Sequence, residues 1–451
     1  MQPSLINRPY KGQFSNVQRI LGLLLAIFSV TMIPPWLVGM YYGEGDASSF
    51  ALGFVIALGM GFLIYWPARH HKGDLKLRDG FLIVVAFWTV LGLFGAVPLY
   101  LAEKPDLTLT DAVFESMSGL TTTGATVIVG LDQLPHGILY YRQQLQWLGG
   151  MGIIVLAVAI LPMLGVGGMQ LYRAETPGPM KDNKLTPRIA ETAKALWFIY
   201  AGLTVACAVA YWLAGMQPFD AIAHSFSTIA IGGFSTHDLS IGHFHSGLIE
   251  AVAVVFMMLA GLNFALHFTA WRKGSLAAYI RDPECRTFLT LVAGSTVIAT
   301  AFLYFTNTYD DPVSAFYKAI FQTVSIGTTT GFTTADYSVW PSFLPMMLLM
   351  GSFVGGCAGS TAGGIKVIRF LLVFKQGLRE VQRLVHPSAE IPVKLGGKVI
   401  PPHVVQSVWG FFSVYVGLYA LMFILLLATG LDEVTAFSAV AACLNNLGPG
   451  L

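Results

Sequence analysis

Nine apolar stretches dominate the sequence, at roughly 20–40, 49–67, 80–101, 145–166, 194–215, 247–270, 287–306, 343–374 and 405–430. Each is close to the ~20 residues that a helix needs to cross the hydrocarbon core of a bilayer. A chain with nine such runs reads as a membrane protein, and its spanning segments must be helical, because each backbone polar group has to be satisfied within the segment. Composition agrees: of 451 residues 55% are hydrophobic and only 11% charged, against about 25% charged in a soluble domain, and the mean hydropathy is +0.66. Nucleic acid is an unsuitable partner, since 26 Lys and Arg against 24 Asp and Glu leave only +2 to neutralise phosphates. Cys207, Cys285, Cys357 and Cys443 lie far apart with no CxxC, which points to neither a disulfide framework nor a zinc site. The first stretch follows Arg8, Lys11 and Arg19 and has no small-x-small cleavage site, so it reads as a retained span of a chain starting near Met1.

Charge fixes the orientation. All basic residues except Lys104, Arg142 and Lys318 fall on alternate connections, which the positive-inside rule makes cytoplasmic together with the N-terminus. The opposite connections carry Glu44, Asp46, Glu103, Asp106, Asp132, Asp238, Asp310, Asp311, Asp336, Asp432 and Glu433. An acidic outer mouth raises the local cation concentration, although topology alone also accounts for it.

Between certain spans lie half-apolar stretches of about a dozen residues, too short to cross and suited to re-entrant helices. Aligned without gaps they read DAVFESMSGLTTTGAT (111–126), DAIAHSFSTIAIGGFS (220–235), KAIFQTVSIGTTTGFT (318–333) and TAFSAVAACLNNLGPG (435–450). An alanine recurs at Ala112, Ala221, Ala319 and Ala436, a glycine at Gly124, Gly233, Gly331 and Gly448, and a serine at Ser118, Ser227 and Ser325. The frames start 109, 98 and 117 residues apart, and each interval encloses a span, a basic connection and another span. The unit is therefore span, half-helix, loop, span, repeated four times behind two extra spans.

A half-helix that ends near mid-membrane presents its negative dipole end and the following carbonyls to a cation. Such a loop is tolerated only where it lines water or protein. In Thr-Thr-Thr-Gly the glycine permits the backbone turn and the threonine hydroxyls tie the loop from behind. One such loop is an ordinary polar cap or a small-residue packing patch. Four in register predict a pseudo-fourfold ring of oxygens replacing the water shell of a monovalent cation.

On TTTGAT, IGGFST, TTTGFTT, NNLGPGL and the two leading helices, nearly the whole chain resembles the TrkH branch of the TrkH/KtrB/HKT superfamily of potassium transporters. The resemblance implies an all-α membrane protein with four M1-P-M2 repeats around a single pseudo-fourfold pore and two extra N-terminal helices. The corresponding divisions are an N-terminal pair at 1–79 and repeats at 80–193, 194–286, 287–400 and 401–451. By position the potassium filter falls on Thr121, Thr122, Thr123 and Gly124; Ala230, Ile231, Gly232 and Gly233; Thr328, Thr329, Thr330 and Gly331; and Asn445, Asn446, Leu447 and Gly448. One filter glycine per repeat implies weaker rejection of sodium than in tetrameric potassium channels. The fourth loop departs most from threonine-rich chemistry. The resemblance further implies the bacterial inner membrane, a homodimer surrounded by lipid, and a cytosolic nucleotide-binding regulatory ring of the TrkA type. This chain has no nucleotide motif of its own, so no cofactor beyond the permeant potassium ion is expected in it.

The run GSFVGGCAGSTAGG at 351–364 interrupts the eighth span with six glycines. Glycine costs about 1 kcal/mol per site relative to alanine in a helix, which predicts a broken helix. Small residues also allow close packing, and GSTAGGIK lacks the Walker spacing. Placed directly behind the third loop, Gly355, Gly356, Gly359, Ser360, Thr361, Gly363 and Gly364 form the candidate gate, and the resemblance implies a loop that obstructs the path below the filter. Lys366 and Arg369, just beyond, read as a cytoplasmic boundary.

The remaining chemistry is thin. His224, His237, His243, His245 and His267 have no nucleophile and carboxylate at a catalytic spacing, so an intramembrane enzyme is not indicated; His243 with His245 would make a two-ligand, poor metal site. Glu115 and Lys318 are charges beside pore helices, where isolated charges are expensive, and partners are expected for both. The rival transport reading is a cation-coupled secondary symporter with a midplane site, which predicts inverted repeats; these four share one orientation. After Gly448 only Pro449, Gly450 and Leu451 remain, so the fourth repeat lacks its closing helix, and the natural chain is expected to continue for roughly 30 residues, one span plus its connection.

Overall fold

The computed structural model describes residues 11–45, 47–70, 77–152 and 189–451. The predicted span at 145–166 lies outside them from residue 153 onward. Among the described residues the apolar runs become helices. The leading pair is α1 (Lys11–Val30), continued by α2 (Ile33–Tyr42), and α3 (Ala47–Ala68). A Cβ on Gly22 would stand 2.5 Å from Tyr65 N, and one on Gly61 would stand 2.8 Å from Ala26 N. Small residues thus let the α1 and α3 backbones touch where apolar side chains gain nothing over lipid.

Four times a long helix is followed by a short one. The order is α4 (Leu77–Leu101), α5 (Leu109–Leu120) and α6 (His136–Trp147); then α7 (Ile189–Leu213), α8 (Pro218–Ala230), α9 (Gly247–Ala260), α10 (Phe264–Lys273) and α11 (Ala277–Arg281). There follow α12 (Pro283–Phe305), α13 (Pro312–Gly327), α14 (Leu344–Val354) and α15 (Val367–Val385), and finally α16 (Pro402–Leu427) and α17 (Glu433–Asn445). The short helices start on sequence signals for a cap. Thr108 Oγ1 accepts from Asp111 N before α5, Asp311 Oδ1 from Val313 N and Ser314 N before α13, and Asp432 Oδ2 from Thr435 N before α17. In α8 the job falls to Pro218 at the first position. A hairpin of two-residue strands, Lys394–Leu395 with Lys398–Val399, holds the only β-strands among the described residues.

Among the described residues six helical stretches are long and apolar enough to cross a membrane: Ser15–Tyr42, Ala47–Ala68, Phe81–Leu101, Lys194–Leu213, Pro283–Phe305 and Pro402–Leu427. Their apolar side chains also point outward: Leu63, Val205, Val297 and Ile424 are all more than 60% exposed, an arrangement suited to lipid and costly in water.

Two expected spans are broken. The apolar run at 247–270 is not one helix but α9 and α10, bent by 94°. Asn263 makes the break, because its Oδ1 accepts from Ala265 N at 2.8 Å and starts a new helix. The eighth span stops at Val354 and resumes at Val367, as its glycines predict.

Candidate functional site

The four short helices end in the same turn. At the twelfth position of each frame the backbone is left-handed, with φ of 58° at Thr122, 55° at Ile231, 68° at Thr329 and 54° at Asn446. The next amide donates five residues back in all four: Thr123 N to Ser118 O, Gly232 N to Ser227 O, Thr330 N to Ser325 O and Leu447 N to Ala442 O, at 2.7–2.9 Å. The frame glycines Gly124, Gly233, Gly331 and Gly448 have φ of 80°, 80°, 86° and 33°. Among the described residues no donor reaches the carbonyl oxygens of Thr122, Ile231, Thr329 or Asn446, nor those of the four glycines.

Hydroxyls brace two of the turns identically. Thr121 Oγ1 donates to Met117 O at 2.7 Å and lies 2.8 Å from Thr123 Oγ1; Thr328 Oγ1 donates to Val324 O and lies 2.7 Å from Thr330 Oγ1. Ser118 and Ser325 donate to the carbonyls of Ala125 and Phe332. The second turn has no threonines, and glutamines from α6 replace them. Gln146 Nε2 donates to Gly232 O at 2.6 Å, its Oε1 accepts from Phe234 N at 3.1 Å, and the Ser227 hydroxyl sits between the side-chain oxygens of Gln143 and Gln146. In the fourth turn Asn445 is held by Tyr415 OH at 2.6 Å and by its own amide on Ser352 Oγ at 3.0 Å.

Consecutive turns touch in a closed cycle. A Cβ on Gly124 would fall on Gly232 O, one on Gly233 on Thr330 O, one on Gly331 would lie 2.6 Å from Pro449 Cδ, and one on Gly448 2.8 Å from Gly124 O. Gly448 N donates to Thr123 O at 2.5 Å, and Thr123 Oγ1 to Asn446 Oδ1 at 3.1 Å. Glycine is required here by close approach as much as by φ.

The glycine-rich break is stitched against three of these helix ends. Thr361 Oγ1 donates to Ile229 O at 2.8 Å, Gly363 N to Thr329 Oγ1 at 2.7 Å, and Gly364 N to Asn445 O at 2.9 Å. Its other side is held by the α9–α10 break, through Cys357 N to Gly261 O and Phe264 N to Gly359 O, both at 2.9 Å. Buried Glu284 Oε1 accepts from Ala358 N at 2.7 Å and Ile368 N at 3.1 Å, joining the two edges of the break. Gly355 packs against Gly363 and Gly364, Gly356 against Ala362, and Ser360 donates to Cys357 O. Lys366 is not a boundary residue. It is buried with φ of 82°, and its ammonium donates to Ala362 O. Arg369 lies over the Phe411 ring at 4.2 Å.

Both isolated charges find partners. Glu115 pairs with Arg142 at 2.7 Å, both buried, and Arg142 goes on to Ser235 O at 3.2 Å and Thr126 Oγ1 at 3.1 Å. Arg142 thus belongs to the interior of α6 rather than to an outer connection. Lys318 pairs with Glu250 at 2.9 Å. His224, whose Nδ1 donates to Asp220 O while Nε2 lies 2.9 Å from Ser235 Oγ, and His267, whose Nε2 donates to Leu259 O while Nδ1 lies 2.7 Å from Tyr279 OH, are satisfied packing residues. His243 does not group with His245. It stacks on His237 at 3.6 Å, beside Asp132. Burial alone would lower the His237 imidazolium, but the carboxylates of Asp220 and Asp132 outweigh it and raise its pKa; burial would raise the Asp132 carboxyl, but the His237 hydrogen bond holds it below the usual range.

The family model for TrkH, a cation transport protein, matches residues 46–451. The chain is 59% identical over 441 residues to the Trk system potassium uptake protein TrkH of Vibrio parahaemolyticus, covering 97% of this chain and 91% of that one. It is 58% identical over 438 residues to TrkH of Escherichia coli K12, with the same coverage. TrkG of the same strain is 45% identical over 435 residues, covering 96% of this chain and 89% of that one. The crystal structure of the potassium transporter TrkH from Vibrio parahaemolyticus superposes with a TM-score of 0.88 at 56% identity, over 97% of this chain and 91% of that chain. These relatives are transporters and not enzymes. With its apolar helices and these matches, the chain is a multi-pass membrane protein that belongs to the TrkH family of cation transport proteins.

Proposed function

We propose that the protein takes up potassium across the bacterial inner membrane through a single ring formed by the four turns at 121–124, 230–233, 328–331 and 445–448. The observation that carries this reading is the fourfold recurrence of one backbone geometry at equivalent frame positions, with the carbonyl oxygens of the four left-handed residues and of the four frame glycines free of donors among the described residues. Such carbonyls replace the water shell of a monovalent cation, and the dipole ends of α5, α8, α13 and α17 add partial negative charge behind them. The arrangement is a pseudo-fourfold pore of repeats 80–193, 194–286, 287–400 and 401–451 behind an N-terminal pair at 1–79, with the N-terminus cytoplasmic. The segment 355–364 is the gate. It is bonded to three of the four helix ends and, while in place, blocks the exit from the ring. Two copies and a cytosolic nucleotide-binding ring of the TrkA type complete the transport unit, with nucleotide control supplied by that ring.

Reconstitution tests the reading. Proteoliposomes carrying the protein should accumulate radioactive rubidium down an imposed gradient, and external potassium should compete better than sodium. Accumulation no faster than in protein-free vesicles, with the protein folded, refutes it; accumulation only with a proton or sodium gradient transfers the assignment to a coupled symporter.

A further inference from the structure

We infer that Asp132, His237 and His243 form a binding site for a divalent transition-metal ion of the zinc class, on the connections that follow the first two turns. One ligand atom from each residue lies within 4.8 Å of the others. The two imidazole rings are parallel to within 1° at 3.6 Å, and both Nδ1 atoms face one oxygen: His237 Nδ1 is hydrogen-bonded to Asp132 Oδ1, and His243 Nδ1 is 3.9 Å from it. Nitrogens sharing a tetrahedral zinc at about 2.0–2.1 Å each stand roughly 3.4 Å apart, close to the spacing of the stack, but imidazole lone pairs lie in the ring planes, so one ring has to turn out of the stack to bind, and exposed His243 has the room to do so. Two imidazoles and one carboxylate are a borderline donor set, right for Zn2+, Ni2+ or Cu2+ and wrong for Mg2+ or Ca2+. Asp132 and His243 are solvent-exposed, which leaves room for the metal to enter and for a water as fourth ligand.

Two further observations point to a ligand. His237 Nε2 is buried with no hydrogen-bond partner, and Asp220 Oδ1 stands 3.5 Å away. With a metal on Nδ1, Nε2 must carry the ring's proton and aims it at that carboxylate, the carboxylate–histidine–metal arrangement that fixes the tautomer and raises ligand basicity. The loops are also held in register without the metal. Asp238 Oδ1 accepts from Gly130 N at 3.0 Å and Leu131 N at 3.1 Å, tying the loop that carries Asp132 to the loop that carries His237. The His243 turn is tied in turn to the connection after the third short helix by Gly242 N to Thr333 O at 3.1 Å and Thr333 N to Ser240 Oγ at 3.2 Å. A bound ion therefore bridges the first two repeats just beyond Gly124 and Gly233. On the functional reading above it sits beside the ion path and slows flux.

Calorimetric titration of the chelator-treated full chain in detergent with Zn2+ tests the site, with Co2+ absorption as the spectroscopic check of tetrahedral nitrogen and oxygen ligation. One ion per chain is expected. His243→Ala, at an exposed position, should abolish it, His245→Ala should leave it intact, and Asp220→Asn should weaken it by roughly tenfold to a hundredfold. No saturable binding, or equal affinity in His243→Ala, overturns the site. In proteoliposomes Zn2+ on the side of these loops should lower rubidium uptake by the native chain and spare His243→Ala. Binding without inhibition leaves the metal site standing and overturns its placement beside the ion path, whereas absence of rubidium uptake without zinc counts against the transport reading alone.

Discussion

Gly363 donates its amide hydrogen to the hydroxyl of Thr329 at 2.7 Å, so the broken helix is bonded to the very residue whose left-handed backbone opens the third turn. Thr329 faces two ways: its main chain shapes the ring and its side chain holds the loop behind it. The substitutions below separate these roles.

Gly331→Ser should lower rubidium uptake by about tenfold or erase the preference for potassium over sodium. Its φ of 86° and the approach of Pro449 Cδ to 2.6 Å of a Cβ leave no relaxed place for a side chain, and strain of about 1–3 kcal/mol is expected. Uptake and competition matching the native chain would remove the turn from the ion path.

Deleting 355–363 should raise flux while leaving ion preference unchanged, since this segment touches helix ends and not the free carbonyls. Thr361→Val is the milder version. It removes the bond to Ile229 O, worth about 0.5–1.5 kcal/mol, and should raise flux two- to tenfold by the same constant. A fall in flux in folded protein would make the segment structural.

Gln146→Leu should damage selectivity more than stability. It strands Gly232 O and Phe234 N in the interior, at about 1–3 kcal/mol for a buried group left unpaired. Potassium-to-sodium competition is the readout, and an unchanged ratio would show the second turn to be braced by Gln143 alone.

Arg142→Met should lower thermal stability in detergent severely, by about 3–5 kcal/mol, because it leaves buried Glu115 without its countercharge, with only the Thr126 hydroxyl and the Val127 amide still bonded to it. Pairing it with Glu115→Gln should recover most of the loss. A double variant as unstable as the single one would mean that Arg142 acts through Ser235 and Thr126 instead.

The turns were legible because their signals are local. Cap residues, a short apolar helix and a glycine in a fixed frame recur within about sixteen residues, and four copies in register cannot be read as chance. The glycines at 351–364 announced a broken helix for the same reason. Partners joined by the fold were invisible. Nothing near Glu115 in the chain names Arg142, and nothing around Gln146 says that it replaces the threonines that the second repeat lacks. The bend at Asn263 hid in an apolar run because hydropathy records polarity and not the capping geometry of one side chain. Lys366 misled through its charge: the backbone turn that buries it has no sequence signature at a lysine.

The hydrogen bond from Gly448 to Thr123 also constrains how the molecule is made. Its ends lie in the turns that follow α17 and α5, so this contact stays open until both turns have been synthesised and inserted. A partly inserted chain, with three turns in place and the fourth absent, has an unclosed circle of polar backbone with one side unsupported. Substitutions at this seam should therefore show themselves first as poor assembly or degradation, before any change in the ions that pass.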